Sequence, residues 1–271
     1  MSKEITVRAL RGDRFDDLDI VDMHCHYRNS YCYYQPQASM EDMVKEEAVL
    51  GINTFCVCPV TALECDYKLG NRQSLEFVRK FPDKVYAYVG LNPQYAGEIE
   101  GELDKYYGES RFIGVKIHPS GHRAKINCEG YKGVFNAVAR RGGFVLTHSW
   151  EACPYSNMDL CEQVIAEFPQ VNIVLAHTGG TVEGAKKTIS LVNRYPNAYL
   201  DTCGFDVTEH WINELVERCP EHKILFGTDF PYHDVRYGST RILFADLEDE
   251  VKLRILGGNF RLLMSQSLKM R

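Results

Sequence analysis

The 271-residue sequence contains no apolar run approaching the roughly 18 residues of a membrane span, and no N-terminal apolar stretch with a cleavage site. The chain therefore reads as a cytoplasmic protein with no membrane partner. It has no basic excess: 31 Lys and Arg stand against 37 Asp and Glu, a formal charge of −6 and a pI near 5.9. A face that tracks nucleic-acid phosphates is not expected. No Cys-x-x-Cys pair occurs among the ten cysteines. In a long chain without a secretory signal they read as reduced, mostly buried thiols. Low-complexity linkers and charge blocks are missing as well, so nothing marks a second domain. With 45% hydrophobic residues, the chain can bury one core of barrel size, and small-molecule chemistry is the remaining expectation.

What is present is a regular alternation. Short apolar or β-branched runs recur at residues 19–26, 53–59, 84–92, 112–119, 144–148, 171–177, 198–203 and 223–229. Most are continuous rather than alternating, as expected of strands covered on both faces in a parallel sheet. Segments of helical period lie between them. Ser39 can cap a helix with Met40, Met43, Val44 and Ala48 inward and Gly51 at its end. Asn71 can cap the next, with Leu75, Val78 and Phe81 inward and Pro82 as its stop. Further helices are suggested by Ile99, Leu103 and Tyr106, by Tyr131, Val134 and Phe135, by Val164 and Ile165, by Ile189 and Val192, and by Ile212 and Leu215. Eight strand–helix units favour a closed (β/α)8 TIM barrel of residues 19–271 over an open sheet. Residues 1–18, polar with one Ile-Thr-Val run, read as an N-terminal cap or strand outside the repeat.

On that frame the polar residues sort to one end. Asp22, His24 and His26 fall on alternate positions of the first strand and are expected to share one face. His-x-His alone is a weak signal. The remaining histidines strengthen it, because Lys116 and His118 end strand four, His148 ends strand five, His177 ends strand six and Asp229 ends strand eight. His122 and His233 lie in loops just beyond strands four and eight. Seven of nine histidines thus gather at the C-terminal mouth of the barrel, where barrel chemistry resides, and a metal site explains this best.

The motifs Asp22-Met23-His24-Cys25-His26, Gly114-Val115-Lys116-Ile117-His118-Pro119, Leu146-Thr147-His148, Leu175-Ala176-His177-Thr178-Gly179-Gly180 and Phe226-Gly227-Thr228-Asp229-Phe230-Pro231 together resemble the amidohydrolase superfamily. The likeness is to its amidohydrolase-related branch, covers about residues 19–264, and includes a terminal segment, Ile255 to Leu263. That branch contains metal-dependent hydrolases and non-oxidative decarboxylases. The resemblance implies a metal-dependent barrel enzyme more firmly than it implies a reaction. By resemblance to mononuclear members, His177 takes a catalytic rather than a ligand role. By resemblance to binuclear members, Lys116 could instead carry a carbamate bridging two ions, with His177 on the second.

Chemistry read from the residues themselves runs in parallel. His24, His26, His148 and Asp229 offer three nitrogens and one carboxylate, a set suited to one Zn²⁺ with an open position for water. Asp229 is then also the best general base, and His177 can polarise a carbonyl. Lys116 can pair with a carboxylate such as Asp22, and His118 and His122 can touch substrate or simply be satisfied by hydrogen bonds. Cys25, Cys56, Cys58 and Cys203 read as core packing. Trp150 either stacks on a ligand or caps the barrel. Arg123 and Arg236 hint at an anionic substrate, against the plainer reading of solvated loop charges. Tyr27, Tyr31, Tyr33 and Tyr34 suggest a lid or a homo-oligomer contact. The leading expectation is a hydrolase of a C–O or C–N bond in a small carbonyl compound. It leads because decarboxylases of the branch tend to be longer. The alternative is a metal-dependent decarboxylase of an unsaturated carboxylic acid.

Overall fold

The computed structural model describes residues 3–28, 30, 34–36, 38–204 and 209–268. Eight parallel strands form one sheet in chain order. They are β1 (Val21–Cys25), β2 (Thr54–Val57), β3 (Val85–Gly90), β4 (Phe112–Ile117), β5 (Phe144–Thr147), β6 (Asn172–Leu175), β7 (Ala198–Asp201) and β8 (Ile224–Leu225). The sheet rolls up because each strand is apolar on both faces. Val21, Met23, Cys56, Tyr88, Phe144 and Val174 fill the lumen, while Phe55, Val57, Val85, Val115 and Val145 pack outward under the helices. Burial of each such side chain contributes about 1.5–3 kcal/mol.

The outer layer begins with α1 (Glu4–Arg11), α2 (Met40–Val49), the short α3 (Val60–Glu64), α4 (Tyr67–Lys80), α5 (Ile99–Tyr106) and the short α6 (Pro119–His122). It continues with α7 (Glu129–Arg141), α8 (Met158–Glu167), α9 (Val182–Arg194), α10 (Glu209–Arg218), α11 (Val235–Leu243), α12 (Asp249–Leu253) and α13 (Asn259–Ser267). Phe260 of α13 meets the ring of Phe144 edge-on, 5.9 Å between centroids, and plugs the end of the barrel opposite its mouth. Among the described residues no helix is long and apolar enough to cross a membrane.

Some local expectations change. The Ile-Thr-Val run is helical, within α1, with Ile5 buried. α2 begins at Ser39, whose side chain and that of Asp42 cap each other's backbone as a capping box. α4 starts earlier than Asn71, because the Asp66 carboxylate accepts from the Leu69 N–H at 3.0 Å. Asn71 turns inward instead, its side chain exchanging two hydrogen bonds with the Gly90 backbone. All described cysteines are free, six of them buried. Tyr27 is buried against Phe77, not in a lid, while Tyr34 is exposed. Tyr31 and Tyr33 lie outside the described residues.

Two irregularities at the first strand position the site. Strand β8 is only two residues long, and the ring is closed by the segment that follows it: Met23 N–H donates to Phe226 O at 3.0 Å, Asp229 N–H to His24 O at 2.8 Å, and Cys25 bridges in parallel to Phe230. The second is a bulge. Asp22 faces Phe55 and Cys25 faces Val57, so three steps of β1 run beside two of β2. Strict alternation therefore breaks, and Asp22 does not share a face with His24 and His26. It sits with Cys25 and Glu47, all fully buried, between β1 and α2.

This outer pocket has its own electrostatics. The Asp22 carboxylate accepts from the Thr228 hydroxyl, from Thr228 N–H at 3.1 Å and from His24 N–H at 3.0 Å. Among the described residues Glu47 receives only the Cys25 thiol, at 3.4 Å, and its other oxygen has no hydrogen-bond partner. Burial, with Asp22 alongside, pushes the Glu47 carboxyl well above its usual range. Burial also pushes Asp22 up to about 7, against the opposing hydrogen bonds of Thr228 and His24. Carboxyls raised in the folded chain hold protons that the unfolded chain has released, so their stabilising contribution declines as pH rises from about 4 through 7. Glu47→Gln keeps the shape without the titrating proton. Relative to wild type, the variant should gain stability between about pH 5 and about pH 8 in urea unfolding. A difference constant with pH would refute the raised Glu47 carboxyl.

Candidate metal centre

The seam between β1 and the segment after β8 gathers the expected donors. His26 Nε2 lies 3.2 Å from Asp229 Oδ1, His24 Nε2 lies 3.5 Å from the same oxygen, and the two Nε2 atoms are 3.2 Å apart. The bulge is what allows this, since it turns both imidazoles inward from one short strand. Asp229 is held at φ 63°, outside the usual range for a side-chain-bearing residue. Gly227 permits the approach of the two segments, because a Cβ there would stand 2.7 Å from that of His24.

Hydrogen bonds decide which nitrogen each ring presents. His26 Nδ1 lies 2.8 Å from the Cys58 carbonyl, which can only accept, so Nδ1 carries the proton. His24 Nδ1 likewise donates to Asp201 Oδ2 at 2.7 Å. Both Nε2 atoms are therefore the unprotonated ones, and with a carboxylate oxygen they surround one small volume. Donors bonded tetrahedrally at about 2.1 Å to an ion would stand about 3.4 Å apart, so the observed spacings fit a divalent cation. Burial, joined by the Lys116 charge, lowers the His24 pKa against the pull of Asp201. Burial alone would raise that of Asp229, but His26, His24 and His177 together hold it well below the usual carboxylate range. Neutral imidazoles and an ionised carboxylate are the forms that bind metal.

Lys116 is fully buried, with Nζ 2.6 Å from His24 Nε2, not beside Asp22. The bulge removed Asp22 from the lumen. Burial lowers the Lys116 pKa, opposed by Asp229 and Asp201. His148 does not enter the three-donor group. Its ring stacks on His118, 4.2 Å between centroids, and its Nδ1 faces His177 Nε2 at 3.0 Å. The β4–β5 register explains the stack, since Ile117 pairs with Thr147 and the next residues are these two histidines. His177, at φ 63°, stands with Nδ1 4.0 Å from Asp229 Oδ2. Burial drives its pKa down to about 3.

The other candidates spread out. His118 Nδ1 accepts from Gly121 N–H at 3.0 Å and caps α6. His122 is tucked under that turn against the Tyr131 hydroxyl at 2.7 Å, its pKa lowered to about 4 by burial. His233 lies just beyond Asp229, its N–H 3.4 Å from the Asp229 carbonyl. Trp150 packs on Gly180, where a Cβ would meet the indole at 2.1 Å, and lies parallel to His148. Arg236 pairs with Asp234 and Glu46, while Arg123 is exposed on the rim.

Two residues escaped the sequence reading. Asp201, the last residue of β7, orients His24. Cys203, assigned there to core packing, places Sγ 3.1 Å from Nδ1 of both His24 and His177. An aspartate ending a barrel strand was the available signal for the first. Nothing local marks the second.

Fold and site together define a (β/α)8 barrel with imidazole and carboxylate donors converging at its C-terminal mouth. Residues 21–261 match the family described as Amidohydrolase, and the chain belongs to that family. Among solved structures, a 2,6-dihydroxybenzoate decarboxylase from Rhizobium aligns with a TM-score of 0.71 at 16% identity, covering 92% of this chain and 99% of that one. A 5-carboxyvanillate decarboxylase from Novosphingobium aromaticivorans, complexed with manganese and 4-hydroxy-3-methoxy-5-nitrobenzoic acid, gives 0.74 at 11% identity, covering 92% and 97%. An uncharacterized TIM-barrel protein from Bordetella bronchiseptica gives 0.75 at 17% identity, covering 92% and 99%. At these identities the likeness is one of fold. No curated protein matches the sequence.

His26→Ala removes one of the three converging donors. Affinity for Mn²⁺ or Zn²⁺, measured by calorimetry, should fall by more than about 100-fold, with metal-free Tm changed by less than about 4 °C. Unchanged affinity would place the metal elsewhere.

Proposed function

We propose that this chain is a metal-dependent, non-oxidative decarboxylase of a small unsaturated or aromatic carboxylic acid, with residues 19–271 as its catalytic unit. The observation that carries the reading is the donor set of His24, His26 and Asp229 in a chain of which 92% aligns with decarboxylases of two aromatic acids. It supports this reading over the hydrolase expectation, which rested on decarboxylases of the branch being longer. The metal-activated water of that expectation remains the alternative, and the substrate panel below separates the two.

The reaction is R–COO⁻ + H⁺ → R–H + CO₂. A divalent ion bound by His24, His26 and Asp229 would turn a floor of two carboxylates and one ammonium from net anionic to net cationic, drawing in a carboxylate substrate and withdrawing electrons from it. Zinc suits the two imidazoles, whereas the manganese bound in one aligned structure argues for testing both. The chain's own residues handle the proton. His177 Nδ1 and Asp229 Oδ2, 4.0 Å apart, are the groups that would pass it to the carbon losing carbon dioxide. His148, partly exposed and 3.0 Å from His177, can restore it from the mouth. His177, neutral at ordinary pH, switches between donor and acceptor without the cost of a buried charge. Trp150 and the His118–His148 stack wall one side of the mouth with flat rings, a surface suited to a planar acid.

A panel of hydroxybenzoic acids, enoic acids, lactones and amides, supplied with Mn²⁺ or Zn²⁺, tests this by carbon dioxide release. Turnover of an acid with stoichiometric carbon dioxide is the expected result. Hydrolysis of a lactone or amide without it would return the hydrolase reading. Asp229→Asn should cost about 10²–10⁴-fold in kcat with the fold retained by circular dichroism, and full activity would remove Asp229 from the proton path.

A further inference from the structure

We infer that Asp201 is a positioning residue shared by the two halves of this centre: it fixes which nitrogen of His24 faces the metal, and it holds the turn that presents His177. The second half rests on the proposed role of His177. The first concerns metal binding alone.

The Asp201 side chain is fully buried, and its two oxygens are divided between the two jobs. Oδ2 takes the Nδ1 proton of His24 at 2.7 Å. Oδ1 accepts from His177 N–H at 2.8 Å, from Cys203 N–H at 3.3 Å and from the Cys203 thiol at 3.0 Å. The His177–Thr178 turn has φ of 63° and 48°, conformations that L-residues rarely adopt and that persist only where neighbours enforce them. Asp201 provides that enforcement from both its ends, because its backbone carbonyl also accepts the Thr178 hydroxyl at 2.6 Å. Cys203, His24 and His177 could be read as a second metal pocket. The hydrogen bonds argue otherwise, since His24 Nδ1 is committed to Asp201 Oδ2 and the Cys203 thiol to Asp201 Oδ1.

An amide cannot replace this carboxylate. With its NH₂ toward His24, Nδ1 must accept, the proton moves to Nε2, and the lone pair facing the metal is lost. With its oxygen toward His24, the NH₂ confronts the His177 and Cys203 donors. Asp201→Asn should therefore weaken Mn²⁺ binding by about 10–100-fold and alter the visible spectrum of the Co²⁺-loaded protein. Cys203→Ser, which keeps a donor, should hold Mn²⁺ affinity within about 3-fold. If the Asn variant does not fold, Asp201→Glu retains both acceptors while shifting them by one methylene, and should move the Co²⁺ spectrum in the same way. Unchanged Mn²⁺ affinity and Co²⁺ spectrum in whichever variant folds would overturn the inference, as would loss of a metal equivalent in Cys203→Ala. If metal binding responds as stated but the wild type decarboxylates nothing, the functional reading fails and the positioning role stands.

Discussion

The closure of the barrel between its first strand and the segment after its last is the constraint on which the rest depends. β8 has only two residues, so the ring is completed by irregular backbone from Phe226 to Phe230 bonded to β1. The donors lie on the two sides of this seam, His24 and His26 on one and Asp229 on the other, about two hundred positions apart in the chain. Closing the sheet and assembling the centre are one event. The Asp22 carboxylate reinforces it from outside, taking hydrogen bonds from His24 on one side and Thr228 on the other. An ion bound across the seam would tie the same two segments, so metal binding and stability are thermodynamically linked.

Burial then dictates charge. The floor of the mouth holds His24, His26, His177, Lys116, Asp201 and Asp229, each less than a tenth exposed. Ionising every one of them in so dry a place would be prohibitive. Desolvation instead keeps His24 and His177 neutral, while the Asp229 carboxyl lies well below the usual carboxylate range. Unprotonated nitrogens beside a carboxylate form a cavity that favours a cation, and hydrogen bonds to the Cys58 carbonyl and the Asp201 carboxylate dictate which nitrogens those are. The same rule works in reverse behind the sheet, where Glu47 is enclosed without a cation and holds its proton.

Much of the architecture was legible in the residues. Eight apolar runs became eight parallel strands in chain order, because a strand covered on both faces must be apolar throughout. The C-terminal ends of those strands pointed to the mouth, and His24, His26 and Asp229 do converge there. Less legible was anything that depends on contacts across the sheet. Asp22 was placed with the histidines by strict alternation, and one extra residue in β1 moved it to the opposite face. His148 was placed among the donors by its strand end, whereas the packing of His118 beside it turned its ring toward His177. Asn71, a plausible helix cap, is drawn inside by two hydrogen bonds with the Gly90 backbone.

The order of strands, the apolar faces and the residue types at the mouth were properties of the sequence by itself, because they follow from periodicity and side-chain chemistry within a few positions. Which nitrogen each imidazole presents, which carboxyl stays protonated, and the service of Asp201 to two histidines on different strands were decided only by the tertiary structure. The physical reason is that a hydrogen bond spans about 3 Å of space whatever the distance along the chain. A single added residue in one strand reverses the faces of all that follow, and only the neighbouring strand reveals that it has happened.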